Sequence, residues 1–167
     1  MVEKKLLACM SGVLAVAGSC AHILPPCSGP EPLRVILRAS THLNPGENGE
    51  SLATTVRIYQ LRDLSKFATV SPEQLLDGDQ AALGEDLVSV KEITLYPGEV
   101  AKPALHRREG VHFLAAAAFF RHPAGSAWRV ASKLQSPDPE YCYMPSGVRD
   151  ARTTLLFGLV ESRVELH

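Results

Sequence analysis

The sequence predicts an all-β protein, a β-sandwich of about eight strands with one small helical insert. Three observations carry this reading. Leu33, Val35, Leu37 and Ala39 alternate with Arg34, Ile36, Arg38 and Ser40, and Val56 and Ile58 alternate with Arg57 and Tyr59, the period of two expected of a half-buried strand. Turn signals built on Gly, Pro and Asn recur roughly every ten residues along the rest of the chain. Helix start and stop signals gather in a single region, residues 71–84. The composition agrees: 46% hydrophobic and 21% charged residues, with 12 Gly and 12 Pro against a single Trp, describe a turn-rich globular chain. They exclude a disordered, collagen-like or polytopic membrane protein. At 167 residues one domain is expected.

The first segment lies outside the sandwich. Lys4 and Lys5 precede an uncharged, mostly apolar stretch at residues 6–17 (LLACMSGVLAVA), too short for the ~20 residues a spanning helix needs. A basic start, a short apolar core and small residues after it describe a secretory signal peptide over residues 1–19. Ala15-Val16-Ala17 fits ordinary cleavage and release of a soluble protein. Ala17-Gly18-Ser19-Cys20 fits a bacterial lipobox, in which Cys20 becomes the acylated first residue and several acyl chains make a lasting anchor. Cysteine arithmetic favours the lipobox. Of 4 Cys, Cys9 leaves with the signal, and Cys20, Cys27 and Cys142 are an odd set for an oxidising compartment. Acylation of Cys20 leaves Cys27 and Cys142, which pair as a disulfide or stay as two thiols. Ala21, not Asp, follows Cys20, which in Gram-negative lipoproteins points to the outer membrane. Residues 20–32 hold the lipidated Cys and a Pro-rich tether, and residues 33–167 form the domain.

Within the domain the first strand opens at Leu33 and the second spans residues 54–61 (TTVRIYQL). Between them, residues 42–53 (HLNPGENGESLA) carry Asn-Pro-Gly and Asn-Gly turns and form a loop. Ser71, Pro72 and Gln74 make a capping box; Gly78 stops that helical turn, Asp79 caps a second and Gly84 ends it. Strands resume at 88–95 and, after the Pro97-Gly98-Glu99 turn, at 100–106. Residues 111–121 (VHFLAAAAFFR) are apolar on both parities, as in a central strand covered on both faces. A strand at 128–134, a loop at 135–151 and strands at 153–160 and 163–166 close the chain.

Chemistry-bearing motifs are missing from the sequence. No phosphate-binding Gly-rich loop, nucleophile elbow, zinc-protease motif or C-x-x-C is present. His112 and His122 are ten residues apart on one expected strand, over about 30 Å at ~3.3 Å per residue, too far to share a metal. His106 and His112 have no acidic or Cys partner at ligand spacing. Asp77, Asp79, Glu85 and Asp86 read as helix caps and a solvated face. Arg107-Arg108 meets Glu109 at once and makes no phosphate patch. With 17 basic and 18 acidic residues there is no field to attract nucleic acid. No catalytic residue, cofactor, metal or small-molecule substrate is expected.

Several segments stand in a telling order: the lipobox, Leu43-Asn44 and Gly49, Val56-Arg57-Ile58-Tyr59-Gln60-Leu61, Ala82-Leu83-Gly84 with Asp86-Leu87, Pro97-Gly98-Glu99, Ala117, Phe119 to Arg121, and Trp128-Arg129. As a set they resemble the type VI secretion outer-membrane lipoprotein, the TssJ (SciN) family. The resemblance implies a transthyretin-like β-sandwich with a small helical insert, anchored on the periplasmic face of the outer membrane. It implies a partner, the periplasmic domain of TssM, and a contact for it in the loop between the first two strands, here residues 42–53. Asn44, Pro45, Gly46, Glu47, Asn48, Gly49 and Glu50 are the candidate contact residues, and Glu47 and Glu50 make the loop acidic. Many members carry proline before the second strand where this chain has Ser51-Leu52-Ala53. Two other readings are weighed: an unrelated envelope lipoprotein that binds a small ligand or peptide in a sandwich cleft, and a transthyretin-like hydrolase. The hydrolases end in Tyr-Arg-Gly-Ser, whereas this chain ends Ser-Arg-Val-Glu-Leu-His.

Overall fold

Alternation along the first strand sets the design of the molecule. In β1 (Pro32–Ala39), Leu33, Val35, Leu37 and Ala39 are buried while Arg34 and Arg38 face solvent, so one face of the strand makes core. The structure is a computed structural model that describes residues 31–136, 140–145, 147–149 and 154–167. After β1 come β2 (Thr54–Leu61), α1 (Ser65–Thr69), α2 (Pro72–Asp77), α3 (Asp79–Leu83), β3 (Leu87–Leu95), β4 (Val100–Ala101), β5 (Ala104–His106), β6 (Phe113–Phe119), β7 (Arg129–Lys133), β8 (Thr154–Val160) and β9 (Arg163–Leu166).

The strands form two sheets. One has the order β4-β1-β8-β9, with β5 also on β1; β1 and β8 run parallel and the other pairs antiparallel. The other sheet has the antiparallel order β3-β2-β6-β7. Their inner faces meet in one core that includes Val35, Leu37, Val56, Ile58, Leu114, Phe157 and Leu159. The expected strand at 100–106 is two short ones. Pro103 supplies no N–H to the ladder, and pairing with β1 stops at Ala101 and resumes at Ala104. The doubly covered strand is β6, shorter than its apolar run, with Leu114 through Ala118 buried between β2 and β7.

The helical insert covers the outer face of the second sheet. In α2 the capping box is formed: Gln74 N donates to Ser71 Oγ at 3.3 Å and Ser71 N donates to Gln74 Oε1 at 2.9 Å. Asp79 does not cap α3 with its side chain; Gly78 occupies the cap position, and the Asp79 carboxylate is turned to the sheet. A third helix, α1, precedes the region that carried the sequence signals. The face of β2 that reads as its polar side is the seat of this insert. Tyr59 is fully buried there with its ring 5.4 Å from Phe67 of α1, and Arg57 donates to the Leu75 carbonyl of α2 at 2.8 Å. Ala115 and Ala117 stand opposite Tyr59 and Arg57 in register, and their small side chains leave room for the helices above.

Strand direction gives the sandwich two poles. At one, Arg107 N donates to the Glu31 carbonyl at 2.8 Å, and β1 and β8 begin. At the other, β1 and β8 end and four connections meet, at residues 40–53, 96–99, 120–128 and 161–162. Gly98 N donates to Ser40 O at 3.0 Å, Asn44 N to Glu161 O at 2.8 Å and Ala124 N to Ser162 O at 3.2 Å.

Candidate functional site

The loop at residues 42–53 is a braced projection rather than a slack connection. Leu43 is fully buried, and Leu52 N donates to its carbonyl at 3.0 Å. Pro45 bridges to Ser51, Gly46 N donates to Glu50 O at 2.8 Å, and Gly49 N donates to Gly46 O at 3.1 Å. Gly49 has φ +79°, the left-handed conformation a tight turn needs and glycine adopts without strain. The candidate contact residues divide by place. Asn44 is buried at 4% exposure and is a brace: its Nδ2 donates to Ala53 O at 2.9 Å and its Oδ1 accepts from Arg121 N at 2.8 Å. Its φ of +47° is one that Asn tolerates better than most residues. Pro45 and Gly46 are half-buried, whereas Glu47, Asn48, Gly49 and Glu50 form the exposed tip. The Glu50 carboxylate accepts from Asn48 N at 3.0 Å, and Glu47 lies 3.6 Å from Arg121 across the pole. That ion pair is exposed and contributes little to stability.

At the opposite pole the start of the domain is fastened. Arg107 is buried, 7% exposed, and its guanidinium donates to Val111 O through Nε at 3.2 Å and Nη2 at 2.7 Å. Its Nη1 donates to Gln135 O at 2.5 Å and to the Glu31 carboxylate at 3.3 Å, and that carboxylate side chain is itself only 12% exposed. Cys142 lies in a single helical turn, Tyr141–Tyr143, and is disulfide-bonded. Cys27, Cys20, the signal segment and the tether up to residue 30 lie outside the described residues.

A third polar group joins insert to sheet. Arg57 is 3.2 Å from Asp79 and 2.7 Å from Glu92, and the Tyr59 hydroxyl donates to Asp79 at 2.7 Å. Burial, followed by the Asp79 carboxylate, pushes the Tyr59 hydroxyl far above the usual phenol range. Burial alone would lower the Arg57 guanidinium, but Glu92 and Asp79 outweigh it and raise it. Arg129 donates to the carbonyls of Val70 and Ala68 and lies over the Trp128 ring, 4.8 Å from its centroid. These residues read from the sequence only as strand and motif positions. A signal was available: β2 neighbours a strand apolar on both parities, so an Arg and a Tyr on its outer face need a cover with a carboxylate.

Among the described residues no group of three or more His, Cys, Asp or Glu could hold a metal, and no helix is long and apolar enough to cross a membrane. His106 lies at the end of β5, and His112 and His122 lie beyond the two ends of β6. A cleft of about 660 Å³ opens between the edges of β3 and β5, lined by Gln60, Lys91, His106 and Arg108 among others. No nucleophile and base are hydrogen-bonded to each other in its wall.

Fold and poles together define a class: a β-sandwich roofed on one face by a helical insert and presenting braced loops at one end. The sequence profile of the family described as type VI secretion lipoprotein (T6SS-SciN; VasD, EvfM, TssJ) matches residues 31–155. The chain belongs to this family of type VI secretion lipoproteins. Among solved structures, a chain of one described as "Type VI membrane complex" is 25% identical, with a TM-score of 0.67, covering 83% of this chain and 99% of that one. A chain of the structure reported for the T6SS protein TssM C-terminal domain from EAEC is 24% identical, with a TM-score of 0.65 and coverage of 81% and 97%. The crystal structure of the T6SS lipoprotein TssJ1 from Pseudomonas aeruginosa is 22% identical, with a TM-score of 0.67 and coverage of 83% and 96%. No curated protein sequence matches the chain significantly.

Proposed function

We propose that this chain is a lipid-anchored, non-enzymatic structural component of the type VI secretion membrane complex. It is acylated at Cys20, sits on the periplasmic face of the outer membrane, and binds the periplasmic domain of TssM through the tip of the 42–53 loop. The observation that carries the reading is the opposition of the poles. The tether joins β1 at Pro32, and the loop leaves the far end of the same eight-residue strand, about 25 Å away at ~3.3 Å per residue. A chain held to a membrane at its first pole therefore presents Glu47–Glu50 away from that membrane. Family membership and a similar chain in a structure reported for a TssM domain support the choice of partner. Isothermal titration of the mature chain against that TssM domain tests it. Glu47→Ser, Asn48→Ser and Glu50→Ser together, with Asn44 and Gly49 kept, should weaken binding by about tenfold or more, at least ~1.4 kcal/mol, at an unchanged melting temperature. Unchanged affinity would place the contact elsewhere.

A further inference from the structure

The two outer faces of the sandwich are unlike, and they complement one another. The second sheet is roofed by the insert, whose α2 holds Leu76 out into solvent at 55% exposure. Glu73 and Asp77 flank it and are exposed, and Asp77 forms no ion pair among the described residues. The outer face of the first sheet by register comprises Arg34, Ile36 and Arg38 of β1, Thr154, Leu156, Gly158 and Val160 beside them, and Arg163 and Glu165 of β9. Ile36 is the one break in the polar parity of β1, and it lies opposite Leu156.

Into this face opens a mostly apolar socket of about 360 Å³, lined by Leu156, Gly158, Val160, Arg38 and His167 among others. Gly158 leaves room for the His167 ring beside the strand: a Cβ there would lie 2.8 Å from its Nε2. Glu165 on this face is engaged by Arg163 at 3.5 Å, and Nε2 of His167 lies 3.8 Å from its carboxylate. Arg38 at the rim is exposed and has no ion pair among the described residues.

We propose that copies of this chain associate head to tail, with Leu76 of one copy seated in the socket beside Arg38 of the next, and Glu73 and Asp77 facing that arginine. An exposed leucine between carboxylates meets an apolar hollow with a guanidinium at its rim that has no ion pair among the described residues, so shape and charge agree. Hook and socket lie on opposite faces of one sandwich, so the contact joins unlike surfaces and propagates as a row or ring. A rotation axis along the strands keeps every tether pole on one side, as common anchoring to one membrane requires on the proposed function. A single hook with its ion pairs is a small interface, of the class populated when copies are confined together. The contact uses neither the 42–53 loop nor TssM.

The test uses the full lipidated chain in phospholipid vesicles, with its native cysteines kept. Leu76→Cys combined with Val160→Cys should give a ladder of dimers, trimers and larger species on mild oxidation, and neither single variant should. Adding Arg38→Glu should reduce the ladder about tenfold, and further adding Asp77→Lys, in the last turn of α2, should restore it. The charge variants alter exposed side chains and should melt with the parent. No ladder, dimers from Leu76→Cys alone, or no rescue by the charge exchange would each overturn the proposal.

Discussion

Replacing Arg107 by Met should destabilise the domain by about 3–5 kcal/mol, the cost of breaking a buried ion pair from one side. Methionine keeps most of the apolar stem, so the change isolates the guanidinium. What it leaves behind is specific. Glu31 keeps a carboxylate on a side chain only 12% exposed, without its cation. The Val111 carbonyl loses both guanidinium donors and the Gln135 carbonyl loses one. For a chain of this length ~1 kcal/mol moves the melting temperature by roughly 2–4 °C, so the expected fall is about 6–20 °C.

A second variant separates charge from packing. Arg107→Met with Glu31→Leu removes both buried charges, and only the unmet carbonyls then remain, at about 1–3 kcal/mol each. The double variant should therefore melt above the single one. Thermal and urea unfolding of the mature chain measure both. A single variant melting within about 2 °C of the parent, or a double variant melting below the single, would refute the clamp.

Asn44→Ala removes two part-buried hydrogen bonds, to Ala53 O and from Arg121 N, and should lower stability by about 1–3 kcal/mol in urea unfolding, a loss that the exposed tip variants should not share. Tyr59→Phe should cost about 1.5–3 kcal/mol near neutral pH, because a hydroxyl donating to the Asp79 carboxylate is lost. The parent hydroxyl titrates higher folded than unfolded, so its contribution persists up to the unfolded phenol value near 10.0 and is lost above it. Urea midpoints at pH 8 and pH 11 should thus diverge more in the parent than in Tyr59→Phe; equal divergence would exclude Tyr59 as the cause. Cys142 should be joined to Cys27, found by mass spectrometry of unreduced, alkylated protein as one linked peptide pair; a different partner would end that assignment. Closing 142 − 27 = 115 positions should contribute on the order of 4–5 kcal/mol. Cys20→Ser should abolish labelling by a palmitate analogue and release the chain from the membrane, and label kept by the variant would exclude Cys20 as the acylated residue.

How much of this was legible in the sequence depends on the range of the interaction. Alternation in β1 named its core face correctly because one-sided burial needs only local periodicity. The same inference failed at β2, where Arg57 and Tyr59 look solvent-facing until the insert is folded over them. Capping at Ser71 and Gln74 was readable from four adjacent residues. Helix α1 was not, since its start has no capping side chain at Leu64 and depends on Asp63 accepting from Ser65 N at 2.7 Å. In the loop, the turn chemistry of Asn48 and Gly49 was local, but the inward role of Asn44 depends on Arg121, 77 positions away. Arg107 beside Arg108 and Glu109 looked like an unremarkable surface run. Its partner Glu31 lies 76 positions upstream, and nothing in the local pattern distinguishes the buried arginine from the exposed one next to it.

On the proposed function, the opposition of the poles also decides how force passes through the molecule. Tension between a lipid anchor before Pro32 and a partner on Glu47–Glu50 runs along the backbone of β1, whose covalent bonds carry it. The sheet contacts of β1, to β8 on one edge and to β4 and β5 on the other, then hold register and are not peeled in sequence. The two braces sit at the ends of this path: Arg107 with Glu31 where the chain enters β1, and Asn44 with the backbone N–H of Arg121 just past where it leaves. Attachment at the 161–162 turn instead would load the β1–β8 pairing in shear, so that hydrogen bonds and packing would have to resist it. A docking surface on the loop that directly continues the anchored strand is thus the arrangement in which a small sandwich bears load without relying on its own marginal stability.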